Sequence, residues 1–281
     1  MVGFGHSYYK EIPLWKWILL IIGGTMLFLL LYSGAQTAAM TDMKTSFSLC
    51  ISVVVASLLV VTYVLVVGKI EKRKVDEFIT PSAGIWTGKG LLLGLVYFSI
   101  ITAILAIFGM YNIEGYNINV IRLLDQFLYF LVIAVGEEII FRGVIFRMIT
   151  ERWNVAVALI VSSLLFGAIH MINQGATIWT SIAISIEAGL LLGAAFSLSG
   201  NLWFPIGIHW AWNFTEGNIF GFSCSGSFES CRLLTPSISG PVILTGGEFG
   251  PEESIIAVVL GASLSAWFIW RYYKMNRLSK Q

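Results

Sequence analysis

The sequence predicts an all-α, polytopic membrane protein of about eight transmembrane helices, with an active site in a core bundle of spans four to seven. Hydrophobic residues make up 57% of the 281 residues and charged ones only 12%, against about 25% charged in ordinary soluble domains. Several apolar runs approach 20 residues, enough to cross a hydrocarbon core of about 30 Å as helix. The runs are continuous rather than alternating, which argues against a transmembrane barrel. The net charge of +1 comes without a basic tract or a glycine-rich phosphate loop, so no nucleic-acid partner is expected. Three cysteines make no disulfide framework.

Spans are expected at roughly 14–32, 46–68, 88–109, 122–149, 155–172, 176–198, 202–217 and 253–271. The first follows Lys10 and Lys16, and Ser33-Gly34-Ala35 after it resembles a signal-peptidase site. Retention of this span is the expectation and cleavage the alternative. The second ends in the cluster Lys69, Lys72, Arg73 and Lys74, and the fourth near Arg147 and Arg152. The sixth carries Glu187, expected to line a polar cavity or pair with another span, and Gly189-xxx-Gly193, a pattern for close helix contact. Gly200 and Asn201 suit a helix stop and a new N-cap, and Pro205 falls early in the next helix, where its missing N–H costs least. The seventh span is short enough to be partly re-entrant. The segment 218–252 is rich in Gly, Ser and Pro. Its Cys224 and Cys231 would pair or stay as thiols according to the compartment.

Arg271, Lys274, Arg277 and Lys280 form a basic tail. With eight spans every basic cluster falls on one side. The positive-inside rule then places both termini in the cytoplasm and 218–252 outside, in the plasma membrane if the cell is bacterial. The chain divides into three N-terminal spans (1–121), a catalytic core (122–217), an extracytoplasmic loop (218–252) and a final helix with its tail (253–281). No internal repeat or soluble domain is visible.

Ionisable groups at bilayer depth cost about 2.5–3.5 kcal/mol each on insertion scales and by default mark function. Glu137 and Glu138 lie inside an apolar run. Glu138 and Arg142 are four apart, share a helix face and can pair. Glu137 lies about 100° further round the helix. It is left in apolar surroundings, suited to proton transfer, unless the whole set is a charge network that ties helices together. Phe166 and His170 are also four apart, where a histidine can be a packing residue or a second proton carrier. His209 and Asn213 repeat that spacing, either as interhelical glue or as donors aimed at an oxyanion. Together these residues suffice for hydrolysis of an amide by water. The glycine-flanked serine of rhomboid-type proteases, the His-Glu-x-x-His of membrane zinc proteases and the Gly-x-Gly-Asp of presenilin-like proteases are all missing.

Glu137-Glu138-xxx-Arg142, Phe166-xxx-His170 and His209-xxx-Asn213, with Asn201-Leu202-Trp203 ahead of the last, resemble the motifs of the CAAX protease and bacteriocin-processing (CPBP) membrane proteases. That family includes the type II CAAX prenyl endopeptidases. The resemblance covers about 120–217. It implies an intramembrane endopeptidase in which Glu137 activates water with help from His170. His209 and Asn213 would stabilise the oxyanion, and Glu138, Arg142 and Phe166 would support the site. It implies no cofactor. The alternative is zinc held by Glu137, His170 and His209, since two histidines and a glutamate form a known catalytic zinc set. The implied partners are the lipid bilayer and a membrane-associated protein or peptide substrate, with or without a lipid anchor. Two other readings stay open: a proton-coupled transporter, which would show paired repeats or broken helices, and a catalytically inactive relative acting as a regulatory scaffold.

Overall fold

A computed structural model describes residues 8–41, 47–229 and 231–278; Lys280 of the basic tail lies outside them. Each expected span is helical. In chain order the helices are α1 (Tyr8–Glu11), α2 (Leu14–Thr41), α3 (Phe47–Glu71), α4 (Ala83–Ile107), α5 (Val120–Glu138), α6 (Arg147–Arg152), α7 (Val155–Ile169), α8 (Ile178–Ile184), α9 (Leu191–Ser199), α10 (Trp203–Phe214), α11 (Val242–Thr245) and α12 (Ile255–Leu278). A π-helical stretch, Ile139–Phe146, joins α5 to α6; a second, Ser185–Leu190, joins α8 to α9; a third, Thr215–Ile219, continues α10.

Among the described residues, six stretches are long and apolar enough to cross a membrane: Leu14–Met40, Leu49–Glu71, Ala83–Ile107, Val155–Ile172, Ile178–Ser199 and Ile255–Leu278. The two expected spans missing from this set are the fourth and the seventh. The fourth, expected at 122–149, lies within a helical stretch from Val120 to Arg152 that includes Glu137, Glu138, Arg142, Arg147, Glu151 and Arg152. The seventh has 12 residues in α10 and five more in its π continuation, short of the ~20 of a full span. Both are shielded by other helices. Every residue from Glu138 to Glu151 is buried, so this part of the helix needs no lipid-compatible surface, while Val120, Ile121 and Leu124 at its start are exposed. The outer helices supply that surface: Leu30, Leu65, Leu92, Ile160 and Leu164 are each 60–70% exposed. So large an apolar exterior is a liability in water and suits lipid.

Glycines set how closely the inner helices approach. A Cβ at Gly207 on α10 would lie 2.6 Å from the Thr87 carbonyl oxygen on α4, and one at Gly94 on α4 would run into the Ile208 carbonyl. A Cβ at Gly189 would lie 2.8 Å from Ser163 Cα, and one at Gly193 would lie 3.1 Å from Leu159 Cδ2. The Gly-xxx-Gly pattern therefore packs on α7. Gly94→Ala should cost about 1–3 kcal/mol by overpacking and displace the helix that carries His209 and Asn213. Thermal unfolding in detergent checks this; an unchanged midpoint would mean that α4 and α10 have slack.

Gly200 ends α9 with φ 60. Asn201 caps the next helix from one position further out than expected: Leu202 is the N-cap residue, and Asn201 Oδ1 accepts from the Trp203 N–H at 2.8 Å.

At one end of the bundle the basic residues are partly consumed by ion pairs. Arg147 lies within the helix, donates to Glu71 (2.6 and 2.8 Å) and Glu151 (2.8 Å), and is buried. Arg73 donates to Glu71 and Glu77. Burial pushes the Glu77 carboxyl up, but hydrogen bonding to Arg73 and the charges of Arg147 and Arg73 hold it below the usual range.

At the other end, the chain after α10 is more ordered than its composition suggests. The strands are β1 (Tyr111–Tyr116), β2 (Ser223–Cys224), β3 (Ser227–Phe228) and β4 (Leu234–Ile238). β1 pairs antiparallel with β4, and β2 with β3. The β2–β3 turn is fixed to the chain before α12 by the Gly226 N–H donating to the Phe249 carbonyl at 2.8 Å. Cys224 and Cys231 are both buried and are free thiols.

Candidate active site

The two glutamates end α5, immediately before the π stretch. Such local widening of a helix is often found at functional sites. Glu138 is fully buried, and its Oε1 accepts from Arg142 Nη1 at 2.8 Å. Arg142 is also enclosed: Nη2 donates to the Gly189 and Ala188 carbonyls at 3.0 and 3.3 Å, and the guanidinium lies 4.6 Å from the Phe166 ring centre. The expected i,i+4 pair is present, with two additions. Phe166 is a cation–π partner, and Arg142 ties this helix to the π stretch that carries Glu187.

Glu138 has a further partner that spacing did not reveal. His209 Nδ1 lies 3.0 Å from the same Oε1. A carboxylate can only accept there, so Nδ1 carries the proton and Nε2 is directed away from Glu138. Nε2 stands 3.9 Å from Glu137 Oε2, too far for a direct hydrogen bond and suitable for a bridging water. Glu137 Oε2 has no hydrogen-bond partner, while Glu137 Oε1 accepts from the Tyr32 hydroxyl at 3.1 Å. Tyr32 belongs to α2, for which the sequence suggested no role. Gly136 makes room for it, since a Cβ there would collide with the Tyr32 ring.

His170 ends α7. Its Nδ1 lies 2.7 Å from the Phe166 carbonyl oxygen, so Nδ1–H donates and Nε2 is the nitrogen left for the cavity. The Phe166 ring packs against both histidines, with centroids 4.8 Å from His170 and 6.2 Å from His209.

Glu137, His170, His209 and Asn213 all line one cavity of about 680 Å³. The β2–β3 turn closes its far side through Ser225, Ser227 and Phe228. Met40, Ile169 and Ile172 also line it and are 42–80% exposed on the outside of the bundle, so the cavity borders the lipid-facing surface. Burial pushes the Glu229 carboxyl at the cavity wall up to about 7. Behind the site, Glu252 meets His170, His209 and Asn213 around a small gap. Glu187 is buried elsewhere, where Tyr97 donates to it at 3.3 Å; it joins no motif residue directly.

Residues 119–215 match the family model described as type II CAAX prenyl endopeptidase, Rce1-like. No curated protein and no solved structure matches the chain. The matched segment begins one residue before α5 and ends one residue past α10, so it contains the glutamate pair, Arg142, Phe166, both histidines and Asn213. The chain is thus a polytopic membrane protein whose residues 119–215 are similar to the Rce1-like CAAX-protease family, in line with its three motifs.

Proposed function

We propose that the protein is an intramembrane endopeptidase in which Glu137 acts as general base on water, without a metal at that position. The observation that carries this reading is the partnering of the two glutamates. Each keeps one oxygen without a hydrogen-bond partner, but Glu138 is fully buried with its other oxygen held by both Arg142 and His209, whereas Glu137 is 18% exposed and lines the cavity. A water between Glu137 Oε2 and His209 Nε2 gives up its proton to Glu137 as its oxygen attacks the scissile carbonyl. The carbonyl π electrons move to oxygen, and His209 and Asn213 donate to the oxyanion. Donation from His209 Nε2 requires the ring to hold both protons, with its Nδ1–H on Glu138. Collapse breaks the C–N bond, and the proton held by Glu137, with His170 Nε2 as a second acceptor, passes to the leaving nitrogen. Tyr32 holds Glu137 from α2, so the first span is read as part of the working enzyme.

The zinc alternative at Glu137, His170 and His209 draws less support from the side-chain positions. Among the described residues, the acidic, histidine and cysteine ligand atoms that gather within 4.8 Å of one another belong to Glu216, Cys224 and Glu252 instead.

The family match implies a membrane-associated protein substrate. The apolar residues shared by the cavity and the outer surface favour access from the bilayer. The site lies near the C-terminal ends of α7 and α10, away from the Arg73 and Arg147 cluster. With the basic end in the cytoplasm, cleavage takes place near the extracytoplasmic face. Incubating purified wild type and Glu137→Gln with a library of membrane-tethered peptides tests the assignment, with cleavage expected from wild type alone.

Asn213→Ala should lower kcat by about 100- to 1000-fold, the usual cost of one oxyanion donor, with a small change in KM. A rise in KM at constant kcat would instead make Asn213 a ground-state binding residue.

A further inference from the structure

A second group of polar side chains lies beside this site and takes no part in the proposed reaction. Glu216 is in the π stretch after α10, Cys224 is in β2, and Glu252 is in the turn before α12. All three are buried, and one ligand atom from each lies within 4.8 Å of the other two. Glu216 is fully buried, and neither of its oxygens reaches a donor in good hydrogen-bond geometry, although the Cys224 thiol and the Trp212 indole stand beside it. Glu252 Oε1 accepts one bond, from the Ser225 N–H at 2.5 Å. Among the described residues, the ion pairs engage neither carboxylate. His170 and His209 face Glu252 across the small gap but form no ion pair with it. Two buried acids and a thiol gathered together are costly when charged, and a cation at their centre removes that cost.

We propose that Glu216, Cys224 and Glu252 form a binding site for a zinc-class divalent cation, which ties the 218–252 loop to the end of α10. The donor set selects the ion. A thiolate with two carboxylates suits zinc, whereas calcium and magnesium take oxygen alone. Ligand atoms around tetrahedral zinc stand about 3.5 Å apart, so a group already within 4.8 Å needs only a small contraction. Gly250 leaves the space open: a Cβ there would lie 3.1 Å from Glu216 Oε1. The site is structural in character. It joins three separate segments, one of which continues the helix of His209 and Asn213 and another of which closes the cavity through Ser225.

Cobalt(II) loading of the metal-stripped, full-length protein in detergent tests the site. The expected result is one equivalent bound, with a thiolate-to-cobalt charge-transfer band in the near ultraviolet. Cys224→Ser should abolish the band, and Glu216→Gln should weaken binding at least tenfold. Glu137→Gln should change neither, which separates this site from the alternative set of Glu137, His170 and His209, where no sulfur is present. Should Cys224→Ser fail to fold, the Cys50→Ser/Cys231→Ser variant leaves Cys224 as the sole thiol of the three, and the band must persist in it. Absence of stoichiometric cobalt, a bound ion without the sulfur band, or binding lost in Glu137→Gln and kept in Cys224→Ser each overturns the proposal. No cleavage assay enters, so failure here leaves the role proposed for Glu137 standing.

Discussion

Glu137→Gln should abolish peptide cleavage while leaving the thermal midpoint within a degree or two of wild type. Loss of a positioned general base alone costs about 100- to 10,000-fold. Glutamine keeps the shape and can still accept from Tyr32 through its amide oxygen, but it cannot take a proton from water. Its stability should hold because Glu137 makes only one direct hydrogen bond, to Tyr32, and stands 18% exposed at the cavity. Tyr32→Phe should lower activity less, since it loosens the base without removing it. A matched fall in activity and stability for Glu137→Gln would make Glu137 a structural residue, and full activity in it would end the glutamate mechanism.

What could be read from the sequence was what helical periodicity encodes. Spacing four gave Glu138 with Arg142, Phe166 facing His170, and His209 with Asn213, and in each case the side chains share a face or touch. The same periodicity separated Glu137 from Glu138, and the structure gives them different partners. Contacts between helices were not legible. His209 reaches Glu138 across 71 positions and Tyr32 reaches Glu137 across 105. Tyr32 sits near the end of an apolar run, where a tyrosine reads as an interfacial anchor. Its signal was instead in Gly136, a residue with no side chain directly before the glutamates.

The chain after α10 was hidden for a different reason. Its Gly, Ser and Pro content reads as loop. Its order comes from pairing 111–116 with 234–238, partners too distant for any local pattern to show. The buried acids Glu216 and Glu252 were invisible because they lie 36 positions apart with no metal-ligand spacing to Cys224, and only the folded chain brings the three together.

Arg142→Ala should be the most destabilising single change in the core, by about 3–5 kcal/mol, the usual cost of removing one partner of a buried ion pair. The guanidinium is 1% exposed and Glu138 is fully buried, so solvent cannot take over its role. Removal leaves Glu138 with His209 alone, strips the Ala188 and Gly189 carbonyls of their donor, and opens a void against Phe166. Arg142→Lys should recover only part of the loss, because an ammonium cannot reach both the carboxylate and the neighbouring carbonyls with the fork geometry of arginine. The informative variant is the double one. If the penalty comes from a charge stranded at Glu138, then Glu138→Gln in the Arg142→Ala background should restore stability, because no uncompensated carboxylate remains. Thermal unfolding of the single and double variants in detergent forms a double-mutant cycle whose coupling measures the pair. Additive losses would show that Arg142 stabilises through the carbonyls and Phe166 rather than through Glu138. A wild-type midpoint with lost cleavage would move Arg142 from supporting the site into its chemistry.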